Sequence, residues 1–239
     1  MAQVDVESFE GIDIFEMDES EPDWQVIYFG EGRDQVKLYV DPMRVCIWEN
    51  SNVMSEWCIK NQGLFKQKRV MELGCGMALP AMTVAALNAT EVIATDISPT
   101  ACKIVKECMA YSRSVGQQSS PFSASVLDWN EVFTAELASG IGAYKSNLPR
   151  VDVILGSDVL YASEHGLPLA AAVDTHLIPG GLLVLTTRNF RPGLDLFLEN
   201  IQKIRGFQLV NEEQYNRGEE EGTKSYKLYV MQKPEPIES

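Results

Sequence analysis

An apolar run, Val70-Met71-Glu72-Leu73, stops at Gly74-Cys75-Gly76; a helical pattern at 79–88 follows, and then a second apolar run, Glu91-Val92-Ile93-Ala94-Thr95, that stops at Asp96. Strand, Gly-x-Gly turn, helix and strand in that order predict a layered α/β fold, because a crossover helix returns the chain to the same edge of a parallel sheet. Glycines at 74 and 76 remove the Cβ atoms that hold a backbone away from a ligand. Asp96 lies 20 positions beyond Gly76, where a carboxylate can accept from ribose hydroxyls. The pattern implies a nucleoside-bearing cofactor. A dinucleotide fingerprint wants a third glycine in Gly-x-Gly-x-x-Gly, whereas this chain reads Gly74-Cys75-Gly76-Met77-Ala78-Leu79. Glu72, just ahead of the glycines, also suits a pyrophosphate badly, since like charges repel in a poorly solvated cleft. A cationic sulfonium cofactor meets no such objection.

The same alternation continues along the chain. Strands are predicted at 69–73, 91–95, 122–127, 151–155 and 182–187, and helices at 50–61, 79–88, 98–111, 130–139, 164–177 and 193–205. Crossovers of that length make the strands parallel and put helices on both faces, a Rossmann-like α/β sheet. Phe207-Gln208-Leu209-Val210 and Tyr226 to Met231, joined across a charged Arg217-to-Lys224 turn, predict a C-terminal antiparallel hairpin. Trp24 to Phe29 and Gln35 to Val40, separated by Gly30-Glu31-Gly32-Arg33-Asp34, predict an N-terminal β-hairpin extension. Residues 112–121 read as a loop, and Pro179-Gly180-Gly181 as the turn into the fifth strand. The expected organisation is an acidic, mobile tail over 1–23, one domain over 24–233, and a short tail over 234–239.

The net charge of −14 is concentrated at one end: residues 1–23 carry nine acids and no Lys or Arg, which leaves −5 for the rest. Such a segment buries too little apolar surface to order itself, and it would hold basic protein partners near a site or simply aid solubility. The absence of a basic face disfavours nucleic acid as a partner. No apolar run of membrane-spanning length and no leader pattern is present, so a soluble protein of the cytoplasm, extending to the nucleus, is expected, as a monomer. Cysteines at 46, 58, 75, 102 and 108 show no Cys-x-x-Cys pair, and neither a disulfide framework nor a metal site is expected; His165 and His176 lack a third ligand at metal spacing.

Ligands in open α/β sheets bind beyond the carboxyl ends of the strands. After the third strand stand Asp128 and Trp129. There a carboxylate can accept from an adenine amino group while the aromatic ring covers the purine; an aspartate capping the next helix explains the same residue. After the fourth strand come Gly156-Ser157-Asp158-Val159-Leu160-Tyr161, which deliver Ser157, Asp158 and Tyr161 to the same rim. The plain structural alternative for that pair is an N-cap aspartate with a core tyrosine one turn later. Arg188, past the fifth strand, could meet a substrate acid, but pairing with a surface carboxylate is the safer reading.

Glu72-x-Gly74-x-Gly76 after a strand, with Asp96 ending the next, resembles motifs I and II of the seven-strand S-adenosylmethionine-dependent methyltransferases. Asp158-x-x-Tyr161, together with Trp48-Glu49 ahead of the first helix, is similar to family 16 of that class, the lysine methyltransferase-like group, over residues 40–231. The resemblance implies five parallel strands with an antiparallel hairpin, S-adenosylmethionine as cofactor and protein N-methylation as activity. Members modify lysines of non-histone proteins such as translation factors, chaperones and calmodulin; others act on arginine or histidine. It further implies that Gly74 and Gly76 approach the cofactor's methionine part, Asp96 the ribose, Asp128 and Trp129 the adenine and Trp48 its flank, with Glu72 and Ser157 also among the cofactor-binding residues, while Asp158 and Tyr161 face the incoming amine. Ala78 departs from the family's Gly-x-Gly-x-Gly. On this reading Asp158 captures and orients an ammonium, and Tyr161 orients the nitrogen. A small-molecule methyltransferase of the same fold and a non-catalytic interaction module remain as alternatives.

Overall fold

The computed structural model describes residues 24–29, 36–40, 47–117, 119–217 and 224–236. The acidic stretch 1–23, the turn at 30–34, Cys46, most of the 217–224 turn and residues 237–239 lie outside them.

In chain order the elements are β1 (Gln25–Phe29), β2 (Val36–Val40), α1 (Glu49–Lys60), β3 (Arg69–Leu73), α2 (Leu79–Ala86), β4 (Glu91–Asp96), α3 (Pro99–Ser114), β5 (Phe122–Val126), α4 (Trp129–Ser139), β6 (Val151–Ser157), α5 (Gly166–His176), β7 (Leu177–Arg188), α6 (Leu194–Glu199), β8 (Gln208–Arg217) and β9 (Lys224–Gln232). Seven strands form one sheet in the order β5-β4-β3-β6-β7-β9-β8. The first five run parallel, and β9 lies antiparallel to both β7 and β8. The alternation read from the sequence is therefore present, with both hairpins. From β3 the chain builds outward to β4 and β5, then returns to place β6 on the other side of β3. That reversal opens a crevice at the carboxyl ends of β3 and β6, where open α/β sheets take their ligands.

Strands β3 and β6 are buried on both faces, as strands covered by helices on two sides must be, and so read as continuous apolar runs. One core joins α1, α2, α3 and the N-terminal hairpin to the sheet through Trp57, Met82, Ile104 and Leu38. The other joins α4, α5 and α6 through Val132, Leu169 and Phe197. The β1–β2 hairpin is fastened to α3 by aromatic packing: Trp24 stacks on Tyr111 with centroids 4.3 Å apart, and Tyr39 meets the same ring edge-on at 5.3 Å.

Several boundaries differ from expectation. β7 begins at Leu177 rather than 182, because Leu177 pairs with Val151 ahead of an irregularity that lets Pro179-Gly180-Gly181 stay within the strand. α3 runs on to Ser114. The helix expected over 193–205 is α6 followed by a π-type turn, Asn200–Ile204, held where Arg205 donates to Asn200 (2.8 Å) and pairs with Asp174 (3.0 Å) and Glu136. β8 is far longer than 207–210; as the outermost strand it is polar along most of its length, which hid it. Among the described residues no helix is long and apolar enough to cross a membrane.

Candidate active site

The glycine loop leaves β3 in three left-handed steps, Gly74 at φ +63°, Gly76 at φ +50° and Ala78 at φ +55°. Backbone bonds pin it to the neighbouring strand: the Cys75 N–H donates to the Thr95 carbonyl at 2.9 Å, and the Thr95 hydroxyl to the Glu72 carbonyl at 2.8 Å. The two glycines differ in what surrounds them. A Cβ at Gly74 would lie 2.8 Å from Val159 Cγ1 and 3.1 Å from Trp129 Cη2, so its bareness admits the protein's own side chains. A Cβ at Gly76 would meet nothing within 4 Å, so that face of the loop is open to a ligand. Ala78, at the first residue before α2, adopts a conformation that costs a residue with a Cβ about 1–2 kcal/mol.

Asp96 ends β4 beside the loop. Its Oδ2 accepts from the Gly76 N–H and its Oδ1 from the Ser98 N–H, each at 2.9 Å. A carboxylate offers about four lone-pair sites, so two remain for hydroxyls. Glu72 sits differently from the expectation. It is 1% exposed, and its Oε2 accepts from the Ala81 N–H at 2.9 Å, beneath the loop rather than on the rim. Burial, reinforced by the Asp96 charge, pushes its carboxyl up to about 8 against the pull of that hydrogen bond. Asp128 caps α4, with Oδ1 accepting from the Asn130 N–H at 2.8 Å, so the capping role is real whether or not Oδ2 meets a ligand. Trp129 lies over the loop, and its buried Nε1 has no hydrogen-bond partner. A buried donor left unpaired is costly, and its usual explanation is a ligand or water.

Across the crevice β6 delivers Ser157, whose hydroxyl accepts from Thr186 at 3.4 Å, and then Asp158 at φ +58°. Asp158 caps no helix; its N–H donates to the Thr186 carbonyl at 2.8 Å. Its carboxylate is gripped by Arg191, Nε to Oδ1 at 2.8 Å and a second contact to Oδ2, while Arg188 places its N–H 3.3 Å from Oδ1 and its Nε 3.8 Å from Oδ2. The carboxylate that Arg188 meets is thus a buried one on the rim, not one on the surface. Arg191 in turn is held more firmly protonated by the Asp158 carboxylate it hydrogen-bonds. With two guanidiniums around it, Asp158 does not present a free negative charge to the crevice. Tyr161 is 63% exposed, not a core residue, and its ring meets His165 edge-on at 4.4 Å. Partial burial and then the Asp96 and Glu164 charges hold its phenol above its ordinary value, which also places it within the field of Asp96.

Trp48 is exposed just before α1. Glu49 pairs with Lys224 at 2.7 Å, tying α1 to β9, and Asn50 is buried with neither side-chain polar atom partnered. The structure therefore gathers Gly74, Gly76, Asp96, Asp128, Trp129, Ser157, Asp158 and Tyr161 at the carboxyl ends of β3 to β6, with Trp48 at the entry to α1. Sequence reasoning did not single out Arg191, Asn50, or the exposed Ile97 and Phe190, which follow Asp96 and precede Arg191. Their positions just past strand ends were readable; the pairing of Arg191 with a residue 33 positions away was not.

A family model described as lysine methyltransferase matches residues 40–204. A calmodulin-lysine N-methyltransferase of Arabidopsis thaliana is 28% identical over 130 residues, 54% of this chain and 39% of that protein. A histone-arginine methyltransferase, METTL23, of Xenopus laevis is 28% identical over 140 residues, 55% of this chain and 53% of that protein. The chain thus spans between about two fifths and about half of these relatives' length. Among solved structures, SMU.776 complexed with SAH superposes with a TM-score of 0.60 at 14% identity, covering 90% of this chain and 57% of that one. At that identity the likeness concerns the fold.

Proposed function

The chain belongs to the lysine methyltransferase family, and from that premise we propose that it is an S-adenosylmethionine-dependent protein methyltransferase whose acceptor is a lysine side chain of a non-histone protein. The open face of Gly76 beside Asp96 carries the cofactor part of this reading: a bare backbone, a carboxylate with acceptor capacity to spare and an unpaired indole N–H suit a nucleoside with a short amino-acid tail. Held there by Gly76, Asp96 and Trp129, the cofactor would supply an electrophilic methyl group to a deprotonated amine.

The chain's own contribution is position and charge. An in-line displacement gains much of its rate from holding the nucleophile in line with the donor. Lysine is protonated at neutral pH, and freeing its lone pair costs about 4.6 kcal/mol when its pKa is ~10.4. A free Asp158 would raise that cost by stabilising the ammonium. Compensated by Arg191 and Arg188, it does not present that free charge, and Tyr161, exposed on the same rim, is a neutral phenol able to direct the nitrogen. Tyr161 at 63% and Phe190 at 94% exposure leave the rim open, which suits an acceptor presented on another protein's surface.

The test is incubation of the purified protein with methyl-labelled S-adenosylmethionine and a cell extract, alongside Asp158→Ala. A discrete protein band carrying methyl-lysine, absent with the variant, is expected. Label confined to small molecules, or methyl-arginine in the band, would overturn the acceptor; failure to bind the cofactor would overturn the activity.

A further inference from the structure

We infer that Glu72 is a specificity residue that reads the charge of the cofactor: neutral in the free protein, it releases its carboxyl proton to solvent when a sulfonium lies on the glycine loop, and recovers a proton when a neutral thioether takes its place. The inference rests on the cofactor reading above and goes beyond it, since it assigns Glu72 a role in telling cofactor from spent product.

Among the described residues, no cation is found to act on Glu72. From α1 it faces the Cys58 thiol, from the loop the Cys75 thiol, and from the end of β4 the Asp96 carboxylate. The α2 helix presents only the Ala81 N–H and bears no charged residue along Leu79–Ala86, while β4 and β6 place Ala94 and Leu155 in register beside it. Ionised carboxylates held in protein interiors ordinarily accept two or three N–H bonds or face an opposite charge; this one has a single N–H and a like charge nearby. Its carboxyl, pushed up to about 8, is therefore mostly protonated at neutral pH, and burial above all pushes the Cys58 and Cys75 thiols up beside it.

Glu72 stands two residues before Gly74, and its carboxylate braces α2 from under the loop. Glu72 lies below the loop whose open face would hold the cation, and an opposite charge brought near a carboxyl in so poorly solvated a place favours its ionised form. A thioether of the same shape carries no charge and has no such effect. Shape distinguishes the two ligands by a single methyl, a contrast that hydrophobic pockets exploit only weakly. Charge adds a second contrast, and it makes binding of the sulfonium cost a proton while binding of the thioether does not.

The experiment is titration calorimetry of the full chain with S-adenosylmethionine and with S-adenosylhomocysteine, in buffers of different ionisation enthalpy, which yields the protons released per ligand bound. At pH 7 the wild type should release close to one proton more with the sulfonium than with the thioether. Between pH 6 and 8 its affinity for the sulfonium should rise by up to about tenfold per unit relative to the thioether. Glu72→Gln, which keeps an acceptor for the Ala81 N–H, should abolish the difference in protons and weaken sulfonium binding at pH 8 by at least tenfold while sparing the thioether. Equal proton counts for the two wild-type complexes would overturn the inference and leave the cofactor reading standing, with no variant needed. Binding of neither ligand to the folded chain would overturn both.

Discussion

Gly74 and Gly76 share a left-handed backbone but face different things, and substitutions at the two separate packing from ligand approach. Gly74→Ala would add backbone strain of about 1–2 kcal/mol and drive a methyl into Val159 and Trp129, an overpacking cost of about 1–3 kcal/mol more. Gly76→Ala should pay the strain alone, since its Cβ would point into open space. Urea unfolding should therefore rank Gly74→Ala as the less stable, whereas the stabilisation of the chain by S-adenosylhomocysteine should be lost most fully in Gly76→Ala; equal destabilisation of the two would refute this division. A similar contrast holds at Asp158, whose side chain is 7% exposed, against 20% for Arg191 and 42% for Arg188. Arg191→Ala leaves a nearly buried carboxylate without its bidentate partner and should cost about 1–3 kcal/mol, while Arg188→Ala should cost under about 1 kcal/mol. Asp158 was legible as a rim residue because it follows a strand of the parallel sheet. Its partner was not, because the arginine that grips it stands in another loop.

Elements were legible in proportion to how completely they are buried. β3, β4 and β6 announce themselves because both faces are covered and the apolar run is unbroken. β8 does not: beyond the shift at Leu209/Asn211 it is an outermost strand whose residues, Glu212 and Gln214 among them, meet water. The start of β7 was hidden by Pro179-Gly180-Gly181, residues that ordinarily punctuate a chain but here sit in an irregular parallel pairing. The β1–β2 hairpin was legible as a hairpin, but its anchorage was not, since Tyr111 lies in α3 and nothing in sequence links it to Trp24. A two-stranded ribbon is marginal alone, so docking on Tyr111 should govern its order. Tyr111→Ala removes a stacked pair and an edge contact, each worth about 0.5–1.5 kcal/mol beyond burial. Hydrogen exchange should then quicken for amides of Gln25–Phe29 and Val36–Val40 while β3, β4 and β6 keep their protection. A uniform rise across the sheet would mean that the hairpin is integral to the core rather than docked on it.

For the molecule as a whole, Glu72 makes stability and pH interdependent in a direction opposite to that of the usual paired carboxylate. With its folded carboxyl raised to about 8 from an ordinary 4.5, the folded chain binds one more proton than the unfolded chain between those values. Its contribution is fully present below pH 4.5 and falls as pH rises towards 8, by about 1.4 kcal/mol per unit. Other carboxylates, among them Glu49 held low by Lys224, have the opposite slope, so the wild-type curve alone does not isolate Glu72. The comparison that does is with Glu72→Gln, which is the same size and always neutral. Denaturant unfolding of the two free chains should give nearly equal stability at pH 5 and a variant more stable by a few kcal/mol at pH 8. Parallel curves would show that Glu72 is ionised in the folded state throughout. A family glutamate that weakens the free chain at neutral pH, where a glutamine would not, makes sense if its charge is needed only when a cation is bound. Saturating S-adenosylmethionine should then return at pH 8 more stability to the wild type than to the variant, by a margin that narrows towards pH 5 as the carboxyl is reprotonated.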